Sequence, residues 1–212
     1  MKRRFLLLAT LALVLCAGCQ NKKKAPEGEA VAYQIFKAIW EQDGETFDQP
    51  CPEDCTVEFS NEFDEQEGFY AEQAVYCYPL KDGGWLGIYK TVDAAEGSGG
   101  FYSYKAYTWK DGVLTQVQNI LPIPALDDLL SSEAMAQHPE ATARLRALYE
   151  AHPEEFLIYD LFPKEQNILA ELHPLDLEAS ESAGHWEESF WDLRVIYEAF
   201  PQYHWTGESF EK

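Results

Sequence analysis

Tyr76-Cys77-Tyr78-Pro79-Leu80-Lys81-Asp82-Gly83-Gly84-Trp85-Leu86-Gly87-Ile88 decides the fold class. Aromatic and branched residues run up to Leu80, where Lys-Asp-Gly-Gly supplies turn residues free to adopt positive φ. A second apolar run follows at once. Two such runs around a short polar turn read as an antiparallel hairpin. Residues 101–109 then alternate, with Tyr102, Tyr104, Ala106 and Thr108 on one side and Phe101, Ser103, Lys105, Tyr107 and Trp109 on the other. Lys110-Asp111-Gly112 turns the chain again into 113–120. The whole is an antiparallel meander with aromatic residues on at least one face.

Helices flank the meander. Before it, Ala32, Ile35, Phe36, Ile39 and Trp40 fall at helical spacing, and Asp43-Gly44 marks a stop. After it, Leu121-Pro122-Ile123-Pro124 breaks the sheet. Residues 125–137 read as one helix through Leu126, Leu129, Leu130 and Met135, and Pro139 opens another. Strands are expected at 56–60, 156–162 and 168–173, with a long strand or short helix at 190–200 and a closing edge at 208–211. The fold class is therefore α+β, with antiparallel meanders packed against a few helices.

The two β regions echo each other. Tyr76-Cys77-Tyr78-Pro79-Leu80 is answered by Leu157-Ile158-Tyr159-Asp160-Leu161. Trp85-Leu86-Gly87-Ile88 is answered by Ile168-Leu169-Ala170-Glu171, and Tyr107-Thr108-Trp109 by Tyr203-His204-Trp205. Either the chain holds two helix-plus-meander halves, 29–124 and 125–212, or the echo is a shared habit of antiparallel sheets. The halves could form one domain, with a continuous sheet or two abutting ones.

The amino terminus addresses the chain to a membrane. Lys2-Arg3-Arg4 precedes an apolar run over 5–16, followed by Ala17-Gly18-Cys19 and then Gln20-Asn21-Lys22-Lys23-Lys24. A basic head, an apolar stretch and a small-residue cleavage site form a secretory signal. The run is shorter than the roughly 20 residues a spanning helix needs. Leu15-Cys16-Ala17-Gly18-Cys19 resembles the lipobox of bacterial lipoproteins. It departs from the usual pattern in having Cys16, not leucine, three places before the cysteine. The resemblance implies cleavage after Gly18 and acylation of Cys19, with 1–18 the signal and 19–28 a tether. It also implies an extracytoplasmic location at the cell membrane, and Gln20 in place of a retaining aspartate favours an outer membrane where the cell has one. Two or more acyl chains hold a protein stably on a bilayer, where one holds marginally. Beyond the lipobox, the body is similar in style to uncharacterised lipoproteins of anaerobic gut bacteria.

Charge and composition narrow the partners. The chain carries 37 acidic and 16 basic residues, for a net charge of −21. Nucleic acid is an improbable partner for so acidic a surface. Apolar residues make up 46 %, enough for a real core. Aromatic residues at 14 % exceed what a small core needs. Trp85, Tyr102, Tyr104, Trp109 and Trp205 are therefore candidates for contact with a carbohydrate, peptide or protein ligand.

No motif of catalysis or metal binding stands out, and no cofactor is implied. His138, His152 and His173 are His-Pro dipeptides at element boundaries, and no histidine pair has the i, i+4 spacing of a zinc helix. Residues 61–68 read as an acidic loop but lack the ordered aspartate pattern of a calcium site. Ser98 has no nucleophile-elbow context. Cys51, Cys55 and Cys77 are disulfide candidates in an exported chain, with Cys51–Cys55 the default pair and Cys55–Cys77 the alternative. These features point to a membrane-anchored binding or interaction module. The rival readings are a carboxylate-dependent hydrolase of the cell envelope and a structural subunit of an envelope assembly.

Overall fold

The computed structural model describes residues 30–52, 56–64, 69–95, 101–137, 139–172 and 200–212. The signal, Cys19, the tether, Cys55, the 97–100 glycine stretch and the element expected at 190–200 lie outside them. The described chain is α+β. Helix α1 (Val31–Gln42) precedes strands β1 (Glu58–Asp64), β2 (Phe69–Pro79), β3 (Trp85–Ala95), β4 (Phe101–Lys110) and β5 (Val113–Val117), which pair in sequence order as a five-stranded antiparallel sheet, sheet A. Helices α2 (Leu126–Leu129), α3 (Ser132–Gln137) and α4 (Pro139–Ala151) follow. Strands β6 (Leu157–Phe162), β7 (Asn167–Leu172), β8 (Gln202–Trp205) and β9 (Phe210–Glu211) form a four-stranded sheet, sheet B.

Helix α1 buries Val31, Ala32, Ile35, Phe36 and Ile39, a stripe at three- and four-residue spacing. Its end follows from Gly44, whose φ of 84° suits a residue without a Cβ. The Glu45 amide donates to the Trp40 carbonyl and the Gly44 amide to the Glu41 carbonyl, which satisfies two of the helix's terminal acceptors. At the β4–β5 turn, Asp111 and Gly112 both take positive φ, as a two-residue hairpin requires.

The central part of sheet A is buried on both faces. One face carries Phe59, Val75, Cys77, Tyr89 and Tyr107 against α1 and the loop residue Phe47. Phe36 is the hub, with ring centroids 5.0 Å from Phe47 and 4.8 Å from Phe59. Gly87 lets the helix approach, since a Cβ there would lie 3.0 Å from Ile35 Cγ2. The other face presents Tyr78, Leu86, Ile88 and Ala106 to a core shared with sheet B and the later helices. The described residues of 29–124 and of 125–212 therefore contribute to one core.

Phenols and an indole cross that core and bond to backbone. Tyr78 donates to the Asn167 carbonyl at 3.1 Å, and Trp205 Nε1 to the Pro79 carbonyl at 2.5 Å. Tyr159 donates to the Pro122 carbonyl at 2.8 Å and Tyr149 to the Pro124 carbonyl at 2.7 Å. Tyr104 does the most. Strand β6 is an edge of sheet B, and the amide of Tyr159 turns away from β7 and donates to the Tyr104 hydroxyl at 3.0 Å. The Tyr159 carbonyl faces the same hydroxyl at 3.4 Å.

Several local expectations are corrected. Residues 125–137 form two helices, because Leu130 leaves helical geometry at φ −117°, ψ 140° while remaining buried, and Ser131-Ser132 favour a restart. Residues 61–64 belong to β1 rather than to the acidic loop expected at 61–68, whose remainder lies outside the described residues. The second arm of the hairpin is expected as a strand over 85–92, and β3 runs on to Ala95, three residues further. The echo between halves does not hold face by face. Tyr78 and Tyr159 both point into the shared core, but Tyr107 packs on α1 whereas Tyr203 points into the shared core. The likeness lies in hairpin order and aromatic content.

Two outcomes follow. Tyr104→Phe leaves the Tyr159 amide without its partner, so the unfolding free energy should fall by about 1–3 kcal/mol in urea denaturation with the fold retained. Burial raises the hydroxyl pKa of Tyr78, Tyr104, Tyr149 and Tyr159, and pushes that of Tyr89 up to about 12. The unfolded chain deprotonates from about pH 10 while these folded phenols stay neutral, so the stability they confer is present below that pH and lost above it. Their tyrosinate absorbance should rise together with the loss of circular dichroism on alkaline titration, not ahead of it.

Candidate functional site

The five aromatic candidates do not share one surface. Trp205 is 5 % exposed in the shared core, its indole N–H bonded to the Pro79 carbonyl. Tyr104 is half-buried and bonded to β6. Trp85 and Trp109 are cross-strand partners, half-buried against the α1 cluster. Tyr102 is half-buried on the face opposite α1, with Lys90 Nζ 5.4 Å from its ring centroid. Its phenol pKa is raised by burial and then by Glu72, Glu171 and Asp160 nearby. Their abundance reflects a sheet packed on both sides more than a display of rings.

Of the cysteines, Cys51 is held in a disulfide whose other half lies outside the described residues. Cys77 is a free thiol, fully buried beneath α1, which corrects its candidacy for a bridge. Burial pushes its pKa up, so it has neither access nor thiolate character. Among the described residues no group of three or more histidine, cysteine or acidic side chains is placed to hold a metal ion. His152 lies 4.0 Å from Glu155, and His204 is exposed on β8, opposite Asn167 and Glu211.

A different row of residues converges. On the α1 face of sheet A, past the helix, Asn61 of β1 is aligned with Gln73 of β2, Gln73 with Thr91 of β3, and Thr91 with Ser103 of β4. Neighbouring strands lie about 4.8 Å apart, so the row is about 14 Å long. Gln73 Oε1 accepts from the Tyr89 hydroxyl at 2.5 Å and from Trp40 Nε1 at 3.0 Å. Two donors on one oxygen fix which way the amide points. The Thr91 and Ser103 hydroxyls are exposed and 2.8 Å apart. Asn61 is only 7 % exposed, and its Nδ2 has no hydrogen-bond partner among the described residues. A buried donor left so costs about 1–3 kcal/mol. Phe101, 65 % exposed, is paired with exposed Asp93 in the next row. Burial raises the phenol pKa values of Tyr89 and Tyr107, and the charge of Asp43, at the end of α1, adds to both.

Sequence reasoning missed this row. Each member is an ordinary polar residue on a strand, and only the register of four strands aligns them. The signal available was parity: Gln73, Thr91 and Ser103 share the strand face of Val75, Tyr89 and Tyr107 but are uncharged and polar.

No family model matches the chain, and no curated protein matches it. A domain of an uncharacterised protein from Porphyromonas gingivalis W83 is similar in structure, with a TM-score of 0.45 and 11 % identity over 85 % of this chain and 88 % of that one.

The thiol assignment is open to direct measurement. Iodoacetamide applied to the native protein should leave the peptide containing Cys77 unmodified by mass spectrometry and label it fully after denaturation. Rapid native labelling would show that α1 does not cover it.

Proposed function

We propose that this chain is an extracytoplasmic lipoprotein, held at a membrane through acylated Cys19, whose folded body is a binding module. The location rests on the basic head, the short apolar run and Ala17-Gly18-Cys19. Among the described residues no helix is long and apolar enough to cross a membrane. The observation that carries the binding role is the open row of uncharged hydrogen-bonding groups beside α1, held by Trp40 and Tyr89. It offers donors and acceptors fixed before any ligand arrives, which is how a binding surface limits the entropy lost on association.

A hydrolase is the second reading, favoured by the carboxylates of Glu72, Glu171 and Asp160, whose charges all act on the Tyr102 phenol. Paired carboxylates are the usual apparatus of glycoside hydrolysis. Release of reducing ends from envelope polysaccharide, abolished by Glu72→Gln, would favour it over binding alone.

For the anchor, Cys19→Ala should transfer the protein from the membrane to the soluble fraction of fractionated cells. Fractionation identical to the wild type would remove the lipid from the account.

A further inference from the structure

We propose that the row formed by Gln73, Thr91 and Ser103, with Asn61 behind it and aromatic rings at its ends, binds a neutral carbohydrate; this rests on the binding-module reading and names the ligand for it. The row offers amide and hydroxyl groups only. Such groups can both donate and accept, which is what a ring of sugar hydroxyls requires. Thr91 and Ser103 already form the paired, exposed hydroxyls that a vicinal diol could replace or bridge. With Gln73 Oε1 committed to Tyr89 and Trp40, the amide's N–H groups remain to serve an acceptor on the ligand.

One exposed aromatic face adjoins the row, and Trp40 borders it while packed on Phe36 and Phe47. Trp40 adjoins Gln73 at one side, and Phe101, 65 % exposed, stands one row beyond Ser103. The apolar C–H faces of sugar rings pack on such side chains while their hydroxyls reach polar neighbours. From Gln73 to Ser103 the row spans about 10 Å, which suits a short oligosaccharide.

Charge argues against anionic ligands. The chain is −21 overall, and Asp93 is exposed in the adjoining row. Lys105, exposed on β4 two residues from Ser103, is the cation on that face nearest to it in sequence. Backbone geometry argues against a peptide docked as an added strand. Strands β2 and β3 are interior to sheet A, so their main-chain groups at the row are already paired. At Gln73 and Thr91 the side chains alone are on offer; β5 pairs with β4 only from Ala106 onward, so an added strand could reach the row only at its Ser103 end or along edge strand β1. Asn61 Nδ2, nine-tenths buried behind the row, has no hydrogen-bond partner among the described residues.

The full chain, purified in detergent, can be run in native gels containing starch, galactomannan, arabinoxylan or mixed-linkage β-glucan. In parallel it can be panned against a random-peptide library. At least one neutral polysaccharide should retard the wild type. The Thr91→Ala/Ser103→Ala double variant, altered only at exposed hydroxyls, should weaken that binding about tenfold or more with its melting temperature unchanged. Retardation that the double variant leaves within twofold would overturn this site. Selected peptides with no polysaccharide retardation would overturn the carbohydrate assignment and leave the binding-module reading standing. Silence in both arms would take down both.

Discussion

Burial of the central part of sheet A on both faces is the constraint from which the rest of the molecule follows. An antiparallel sheet commonly packs one face and wets the other, which gives alternating sequences. Here α1 covers one face and sheet B with the later helices covers the other. Consecutive residues must then all be apolar, and Val75-Tyr76-Cys77-Tyr78 and Leu86-Gly87-Ile88-Tyr89 are. Gly87 thins the sheet where Ile35 presses on it. Cys77 fits for the same reason. A small side chain of apolar character fills the space under the helix, and its thiol chemistry is silenced by the burial that makes it useful.

Double burial creates a second demand. Two sheets meeting through a dry core leave strand edges and loop carbonyls to satisfy without water. Tyrosine and tryptophan meet it because each brings a large apolar body and one polar group at its end. Tyr104 thus completes the outer edge of β6 from a strand of the other sheet. Leu121-Pro122-Ile123-Pro124 shows the matching economy. Each proline lacks an N–H to satisfy, and the carbonyls of Pro122 and Pro124 accept the phenols of Tyr159 and Tyr149. The aromatic surplus and the proline-rich connector are two sides of one solution.

That solution sets what could be read from the chain. Elements fixed by near neighbours were legible. The α1 stripe, its stop at Asp43-Gly44, the turns at 81–84 and 111–112 and the order of the hairpins follow from local chemistry. Elements fixed across the core were not. Nothing near Tyr104 or Trp205 in sequence says that its polar atom will meet the backbone of Tyr159 or Pro79, 55 and 126 residues away. The break at Leu130 was hidden for a related reason, since Leu126, Leu129 and Leu130 have helical spacing while tertiary packing draws Leu130 out of the helix. The polar row was hidden by register, which a one-residue slip would have moved to the opposite face.

The length of α1 ties the fold to the candidate site. A helix of 12 residues is about 18 Å long, whereas the 11-residue strands beneath it reach about 36 Å. However the helix lies, it cannot cover the whole of that face. Where cover ends, apolar side chains would be left to water, and the chain changes character there: Val75 and Tyr89 give way within two residues to Gln73 and Thr91. The Trp40 indole lies at the boundary, packed on Phe36 and Phe47 while its N–H reaches Gln73. Gly44 stops the helix soon after Trp40. Because one more turn would extend about 5.4 Å further, the same glycine that satisfies the helix terminus also keeps the row beside it open.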